Sequence, residues 1–588
     1  MGKACSNVVE RASKGAINCP VDFETCVDLK YGGLLITLPA LLACGLLRNI
    51  SRFDLSKVYY TTTQIFMTLA FMVMMRVKQI EQSKLLSCGE LGRCLGMDRV
   101  PSAQTLRNRL SDFTSVSDVH EWSLDLSRDL MKEDAIDGVL YVDGHVNIYY
   151  GRSITMPKRY VTQMRLCMSG STDYWVNGAI GQPYFVVHKT INEGIIKTMT
   201  DEIIPELDKS IPNQPTKEEL EKNPLLHRYM LVFDREGYSV PFFIELKKKK
   251  LSFCTYRKYV NDKWDISEFK EYTVKDKSGN IVTMKLAERG VYLTTKKEKG
   301  KPSEGIWVRE IRKLNPCGHQ TSIITSNYIL SITDIGLYMF ARWCQENYFK
   351  YATQSFGIDC LISNIKNSIP DTYKIQNPEY LSLNKTHKSI SGKLSKCKQK
   401  LADKVMEIEQ IENKTENINE NKTENEIENK QMKKYLQQKS ELLQTVELYQ
   451  ADLEDIKQKK KEIPKRIDVK EINPEKEILT TVNDRKQLID TIKMICYWAE
   501  TALANQIKPL MSSPEEARTL IRSIYQSSAD LKVNKQTNTL NVELHHSNFA
   551  EVDKIMCNLF KFLNECEIVF PGSGLTIQYN LVSGKFHE

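Results

Sequence analysis

Several absences narrow the chain before any motif is read. Its 15 cysteines run from Cys5 to Cys566 without a single C-x-x-C pair. That spread, with no secretory leader pattern, reads as reduced thiols in a cytosolic protein. Cys317 and His319 form a lone C-x-H with no second ligand pair nearby, whereas a structural zinc site needs four ligands. Long apolar runs are also lacking. "YGGLLITLPALLACGLL", between Lys30 and Arg48, is slightly short for a span and holds a proline; "TTTQIFMTLAFMVMM" stops before Arg76. A membrane span needs about 20 apolar residues, so both runs are expected as buried helices and no membrane partner is expected. A strong excess of one charge is missing too. The net charge of +8 over 588 residues is compatible with nucleic acid and diagnostic of nothing.

What is present is a soluble composition, 41% hydrophobic and 27% charged, long enough for three or four domains. Residues 1–130 read as a helical N-terminal domain with DNA-binding potential. Within it, "SCGELGRCLGMDRVPSAQTLRNRL" has helix-turn-helix rhythm: Leu91 and Leu95 share one face, Gly96 ends that helix, and Leu106 and Leu110 define the next. Arg107 and Arg109 lie beside that second face, as DNA-contacting residues would, although an ordinary helical hairpin has the same spacing. Residues 131–380 turn to strands, with a β-rich segment at about 265–330 and a helix over 333–357 capped by Thr333 or Asp334. Residues 381–465 are rich in Lys, Glu, Asn and Gln and repeat "NKTEN" at 413 and 421, which suggests an antiparallel helical arm with a disordered or extended tip. Residues 466–588 read as a small α+β unit, with alternating strands at Leu540–Leu544 and Leu575–Leu581 around an amphipathic helix.

Two strands invite comparison. "VLYVD" ends at Asp143 and "MLVFD" ends at Asp234. Each has four apolar residues and then an aspartate. A strand-end aspartate is a common turn opener, but buried strands also carry functional groups at their ends. On the later helix Arg342, Glu346 and Lys350 stand at i, i+4 and i+8, so they share one stripe. That stripe is either a solvated face or a metal-binding carboxylate between two phosphate-binding cations. Two aspartates and a glutamate can hold two divalent cations for phosphoryl transfer. Without metal, their like charges would repel.

These residues resemble the D…D…E triad of bacterial insertion-sequence transposases of the cut-and-paste type. Asp143 in "YVDGH", Asp234 in "LVFDREGYS" and Glu346 in "RWCQENYFKY" carry the resemblance, supported by "MKLAERG", "VREIRKL", "GHQTSIITSNY" and "FPGSGLTIQY". It covers nearly the whole chain apart from the "NKTEN" arm. It implies a multidomain α/β protein: an RNase H-like catalytic core with a β insertion, a helical N-terminal domain, a helical arm and a C-terminal α+β unit. It implies that Asp143, Asp234 and Glu346 bind magnesium, or manganese in its place. Water would then cut the strand at a transposon end, and the freed 3′-hydroxyl would attack target DNA. Arg342 and Lys350 would position phosphates, and Arg235 and His145, beside the aspartates, would reach DNA; His145 is equally readable as a strand-end surface residue. The partners implied are duplex terminal repeats and target DNA, with a homodimer to pair two ends, in a bacterial cytoplasm at the nucleoid. In one departure from relatives with a Y-x2-R-x3-E-x6-K signature, Tyr338 is one residue too far upstream and Thr353 stands at the lysine position. The alternative is a domesticated or inactive transposase serving as a DNA-binding scaffold.

Overall fold

The computed structural model describes residues 18–56, 58–133, 138–150, 158–161, 166–189, 194–260, 262–276, 279, 281–295, 304–340, 343–360, 366–368, 374–415, 422–468, 479–481 and 483–582. It is a mixed α/β protein of two compact units, residues 1–366 with 481–588, and residues 367–480.

In the first unit the two apolar runs are buried, as their composition demands. Thr61 opens α1 (Thr62–Met74) with a capping box to Gln64, and the helix is enclosed on every side. The earlier run forms a 3-10 turn, Gly32–Thr37, and a short helix, Leu38–Ala43. Its glycines permit close backbone approach: Gly33 N–H donates to Ser527 O at 3.0 Å, and a Cβ on Gly33 would stand 2.8 Å from Ile524 O. No described helix is long and apolar enough to cross a membrane. Helices α2 (Cys88–Cys94), α3 (Ala103–Val116) and α4 (Val119–Glu133) complete this region. Leu91, Leu95, Leu106 and Leu110 are all buried, and Gly96 takes the left-handed φ of +65° after α2.

The central sheet has ten strands. They are β1 (Val139–Ile148), β2 (Lys158–Val161), β3 (Leu166–Gly178), β4 (Pro183–Lys189), β5 (Met230–Phe233), β6 (Ser252–Tyr256), β7 (Lys270–Lys275), β8 (Ile281–Thr294), β9 (Gly305–Leu314) and β10 (Gln320–Thr325). β1 pairs antiparallel with β3, and β3 with β4. On the other edge of β1, β5 and then β6 join in parallel. The β-rich segment continues the same sheet as antiparallel strands, β10 pairing with β6. After it come α6 (Ile332–Phe340) and α7 (Trp343–Phe356), which cover the expected helix on either side of residues 341–342; those two residues lie outside the described ones. Gly357, at φ +63°, ends α7.

The second unit is an antiparallel pair of long helices, α8 (Pro378–Thr415) and α9 (Lys422–Glu462). Contacts of Lys460 with Tyr380, Leu442 with Cys397 and Tyr435 with Lys404 run in opposite directions along the two helices. Each helix is about 55–60 Å long at 1.5 Å per residue. The expected tip, 416–421, lies outside the described residues.

After this unit, α10 (Asn483–Ile507) returns to the first unit and packs on α1, α4, α7 and β4. Then come α11 (Ala517–Tyr525) and α12 (Ala550–Glu565). A four-stranded sheet closes the unit in the order Cys26–Leu29, Ala529–Asn534, Thr539–Leu544, Thr576–Leu581. Leu540, Val542, Leu544, Ile577 and Tyr579 are its buried face, and α12 lies against it.

Trp122 measures how tightly the N-terminal helices pack. It is fully buried, edge-on to Phe53 and Phe66 at 5.5 Å each. Trp122→Ala should lower unfolding stability by about 3–5 kcal/mol, read from urea denaturation. A loss below about 1 kcal/mol would mean that the site collapses and that the aromatic cluster is not a rigid unit.

Candidate active site

The two aspartates are brought together by register, but only Asp234 stands at a strand end: β1 runs on past Asp143 to Ile148 because it stays paired with β3. β1 and β5 run parallel with Val139 opposite Met230, Leu140 opposite Leu231, Tyr141 opposite Val232 and Val142 opposite Phe233. Carried one residue past the last pair, this register puts Asp143 and Asp234 on neighbouring positions of the two chains. Side chains alternate between faces. Leu140, Val142, Leu231 and Phe233 fill one core, and Val139, Tyr141, Met230 and Val232 the other. Asp143 and Asp234 continue the second set, so both carboxylates leave the same face, each half-buried. Each accepts a hydrogen bond from the next backbone N–H, Gly144 at 2.9 Å and Arg235 at 2.6 Å. The short 3-10 turn Arg235–Gly237 then carries the chain off β5. A Cβ on Gly237 would lie 2.4 Å from the Phe233 ring, so the turn folds back tightly onto the strand that positions Asp234.

Helix α7 lies over that same face. Across β1 and β3, Tyr141 is opposite Asn177, Asp143 opposite Trp175 and His145 opposite Asp173. The helix touches this ladder in sequence order. Gln345 Nε2 donates to Asn177 Oδ1 at 3.0 Å, Tyr348 meets Trp175 edge-on at 5.4 Å, and Phe349 stacks on His145 at 5.4 Å. These contacts straddle Asp143. Glu346 follows Gln345 and is exposed, as is Lys350 one turn later. From behind, Tyr351 donates to Glu500 on α10, and Tyr348 meets Tyr497 at 5.0 Å.

The other expected DNA contacts are dispersed. Arg235 is exposed and lies over the Tyr256 ring at 5.4 Å. His145 is enclosed: burial pushes its imidazole below the ordinary histidine value, and Nε2 has no hydrogen-bond partner. Arg107 pairs with Glu81 at 2.9 Å and Arg109 with Asp112 at 3.0 Å, both remote in sequence from the aspartates. Arg342 lies outside the described residues.

A second acidic cluster lies two residues further along the same face, and the sequence reading missed it. Asp173, His188 and Asp490 bring three potential ligand atoms within 4.8 Å of one another. All three side chains are buried, and so are Lys486 and Lys493. Lys486 bridges the two carboxylates, at 2.9 Å to Asp173 and in direct contact with Asp490. His188 Nδ1 sits 2.8 Å from Asp173, and Asn147 Nδ2 donates to it at 2.5 Å. The cluster therefore already holds a cation, the Lys486 ammonium. A divalent ion beside it would be repelled at close range, so the ligand set does not fit a metal. Burial alone would raise the Asp173 carboxyl, but His188 and Lys486 hold it well below the usual carboxylate range. The available signal was on α10: Lys486, Asp490 and Lys493 sit at i, i+4 and i+7 among Leu488, Ile489, Ile492 and Ile495. A helix with no polar face left for water must bury its charges.

Asp143, Asp234 and Glu346 pass the same test differently. They offer hard oxygen ligands from half-buried and exposed positions, where a cation with retained waters can be accommodated. Comparison with known proteins bears on what they do. A family model described as "Transposase protein" matches residues 2–583. No curated protein matches the chain.

Lys486 is the testable member of the buried network. Lys486→Met leaves two buried carboxylates without their cation and should cost about 3–5 kcal/mol at pH 7. Because the native Asp173 carboxyl is depressed, its contribution is present above the unfolded aspartate value near 3.9 and fades only as pH falls below it. In the variant Asp173 keeps His188 but loses the lysine, so burial raises its carboxyl relative to the parent and moving from pH 7 to pH 5 should narrow the gap. Urea midpoints at both pH values measure this. Equal midpoints at pH 7 would remove the network as a structural tie.

Proposed function

The chain belongs to this transposase family, and from that premise we propose that it cleaves and joins DNA strands with Asp143, Asp234 and Glu346 as its reacting centre. The observation that carries the proposal is the parallel register between β1 and β5, from which Asp143 and Asp234 follow as neighbours on one face. Two supports stand beside it. Helix α7, which bears Glu346, packs across the ladder that includes Asp143. The antiparallel β1–β3–β4 meander, extended in parallel by β5 and β6, is compatible with an RNase H-like core.

In this reading Asp143, Asp234 and Glu346 would hold divalent magnesium, and their oxygen donor set suits it. When bound, the metal supplies an activated nucleophile and charge stabilisation at the phosphate. The remaining roles belong to the chain. Lys350 and Arg235, both exposed, neutralise and orient the phosphate backbone. The aspartates are kept in place by their strands and by the following backbone amides, so little ordering is left for the moment of reaction. His145, stacked under Phe349 with Nε2 enclosed, supports α7 from below and does not face the DNA. Glu236 is exposed on the turn beyond Asp234 and is a bystander.

The test is magnesium-dependent cleavage of duplex DNA carrying the element's own terminal repeats. Changes around a metal site commonly cost about 10–100-fold, so losing a ligand should exceed about 100-fold. Asp143→Asn, Asp234→Asn and Glu346→Gln should each reach that loss while still binding the duplex. Glu236→Gln should cleave like the parent. Cleavage that survives Asp143→Asn and Asp234→Asn removes the proposed centre; binding by the parent without cleavage under any divalent ion favours the scaffold alternative.

A further inference from the structure

The long helix pair has one face that neither its own packing nor the proposed chemistry uses. On α8, Leu383, Ile390, Leu394, Cys397, Leu401 and Ile408 follow the alternating spacing of a two-helix seam. Across it lie Val446, Leu453 and Ile456 of α9, all buried. The seam accounts for the apolar residues and leaves the opposite side of α8 unexplained.

That side is basic without compensation. From Tyr380 to Ala402 the sequence "YLSLNKTHKSISGKLSKCKQKLA" contains no aspartate or glutamate and six lysines. All six are exposed. At 100° per residue, Lys385, Lys388, Lys393, Lys396 and Lys400 fall within an arc of about 140° whose centre lies about 140° round the helix from the seam. None of the five forms an ion pair with any described residue. A merely solvated face carries both signs, and α9 shows what that looks like. Between Glu441 and Glu462 its surface mixes six acids with four lysines, and Lys459 pairs with Asp455 at 2.6 Å.

A second feature points outward. Gly392 lies near the middle of the basic arc and inside a long helix, where glycine costs about 1 kcal/mol relative to alanine. Nothing stands within 4 Å of a Cβ placed there, so internal packing does not ask for glycine. Ser382, Thr386 and Ser389, all exposed, keep the same face low and supply hydroxyl donors. A low surface studded with lysines allows a backbone of phosphates to approach the helix closely. From Lys385 to Lys400 the arc extends for about 22 Å, comparable with several phosphates of one strand.

We propose that the outward face of α8, centred on Gly392 and carrying Lys385, Lys388, Lys393, Lys396 and Lys400, docks on the phosphate backbone of duplex DNA. The inference rests on the transposase reading only for the choice of DNA as the polyanion. The contact is independent of base sequence, because lysines on a helix exterior neutralise phosphates and read no base edge.

The experiment uses the full chain and a 30-base-pair duplex of arbitrary sequence, with affinity followed across a salt series. Combined Lys385→Gln, Lys388→Gln, Lys396→Gln and Lys400→Gln should weaken binding at least tenfold. It should also make the log–log salt slope shallower by about 3 to 4, at about 0.9 per phosphate contact. A control with the same charge change on α9, Lys433→Gln, Lys434→Gln, Lys457→Gln and Lys461→Gln, should alter the slope by less than one. Helical circular dichroism of both variants should match the parent. An unchanged slope in the α8 variant, or an equal drop in the α9 control, overturns the docking face. Duplex binding that depends on α8 in a chain that never cleaves would remove the catalytic reading and leave this surface standing.

Discussion

The first unit depends on neutralising charge inside one helix. α10 carries Lys486, Asp490, Lys493 and Glu500 into the interior, each almost without exposure. An uncompensated buried charge costs several kcal/mol, so each must meet a partner, and the partners come from distant parts of the chain. Asp173 on β3 and Asp490 share Lys486. The carbonyls of Gly357 and Ile358, just past α7, accept from Lys493 and Lys486. Burial alone would raise the Glu500 carboxyl, but Arg76, Tyr351 and Arg518 hold it below its ordinary value. Helix α10 can therefore be buried only when the sheet, the end of α7 and the N-terminal helices are already in their places. This is a condition on the whole unit that apolar packing, which tolerates many arrangements, would not impose.

That condition reaches the candidate site through α7. The helix is fixed on one side by Asn177, Trp175 and His145, and on the other by Tyr497 and Glu500. Glu346 and Lys350 remain exposed because the buried faces of α7 are already committed to these contacts. The chain passes through α8 and α9 between α7 and α10. The segment that supports the proposed catalytic helix is thus made only after the long helix pair, and α7 lacks its rear support until residues past 481 have folded.

How much of this was legible follows from the range of each interaction. The apolar tetrads before Asp143 and Asp234 announced two buried strands, because four consecutive apolar residues need cover on both faces. Their parallel pairing was not written there, because some 80 residues of strands and helices separate them and local spacing does not report their path. The alternation at Leu540–Leu544 showed a half-buried strand, yet the edge strand at Cys26–Leu29 lies some 500 residues earlier, and local spacing says nothing about such a pairing. Lys486, Asp490 and Lys493 at i, i+4 and i+7 look like a solvated stripe with weak pairs, and only the burial of every neighbour inverts that meaning.

One sheet face thus carries two acidic groups with opposite fates. Asp173 and Asp490 lie where water is excluded, and the protein supplies its own fixed cation, an ammonium on a rigid helix. A cation held that way cannot exchange or polarise a substrate, and its value lies in specifying one arrangement of strands and helix. Asp143, two residues before the level of Asp173 along β1, and Asp234, just past the end of β5, are half-buried and face a helix whose Glu346 is exposed. Burial is incomplete there, which suits a cation that keeps part of its own water. The degree of burial, more than the identity of the acids, separates the pair that holds the fold from the pair proposed to act on DNA.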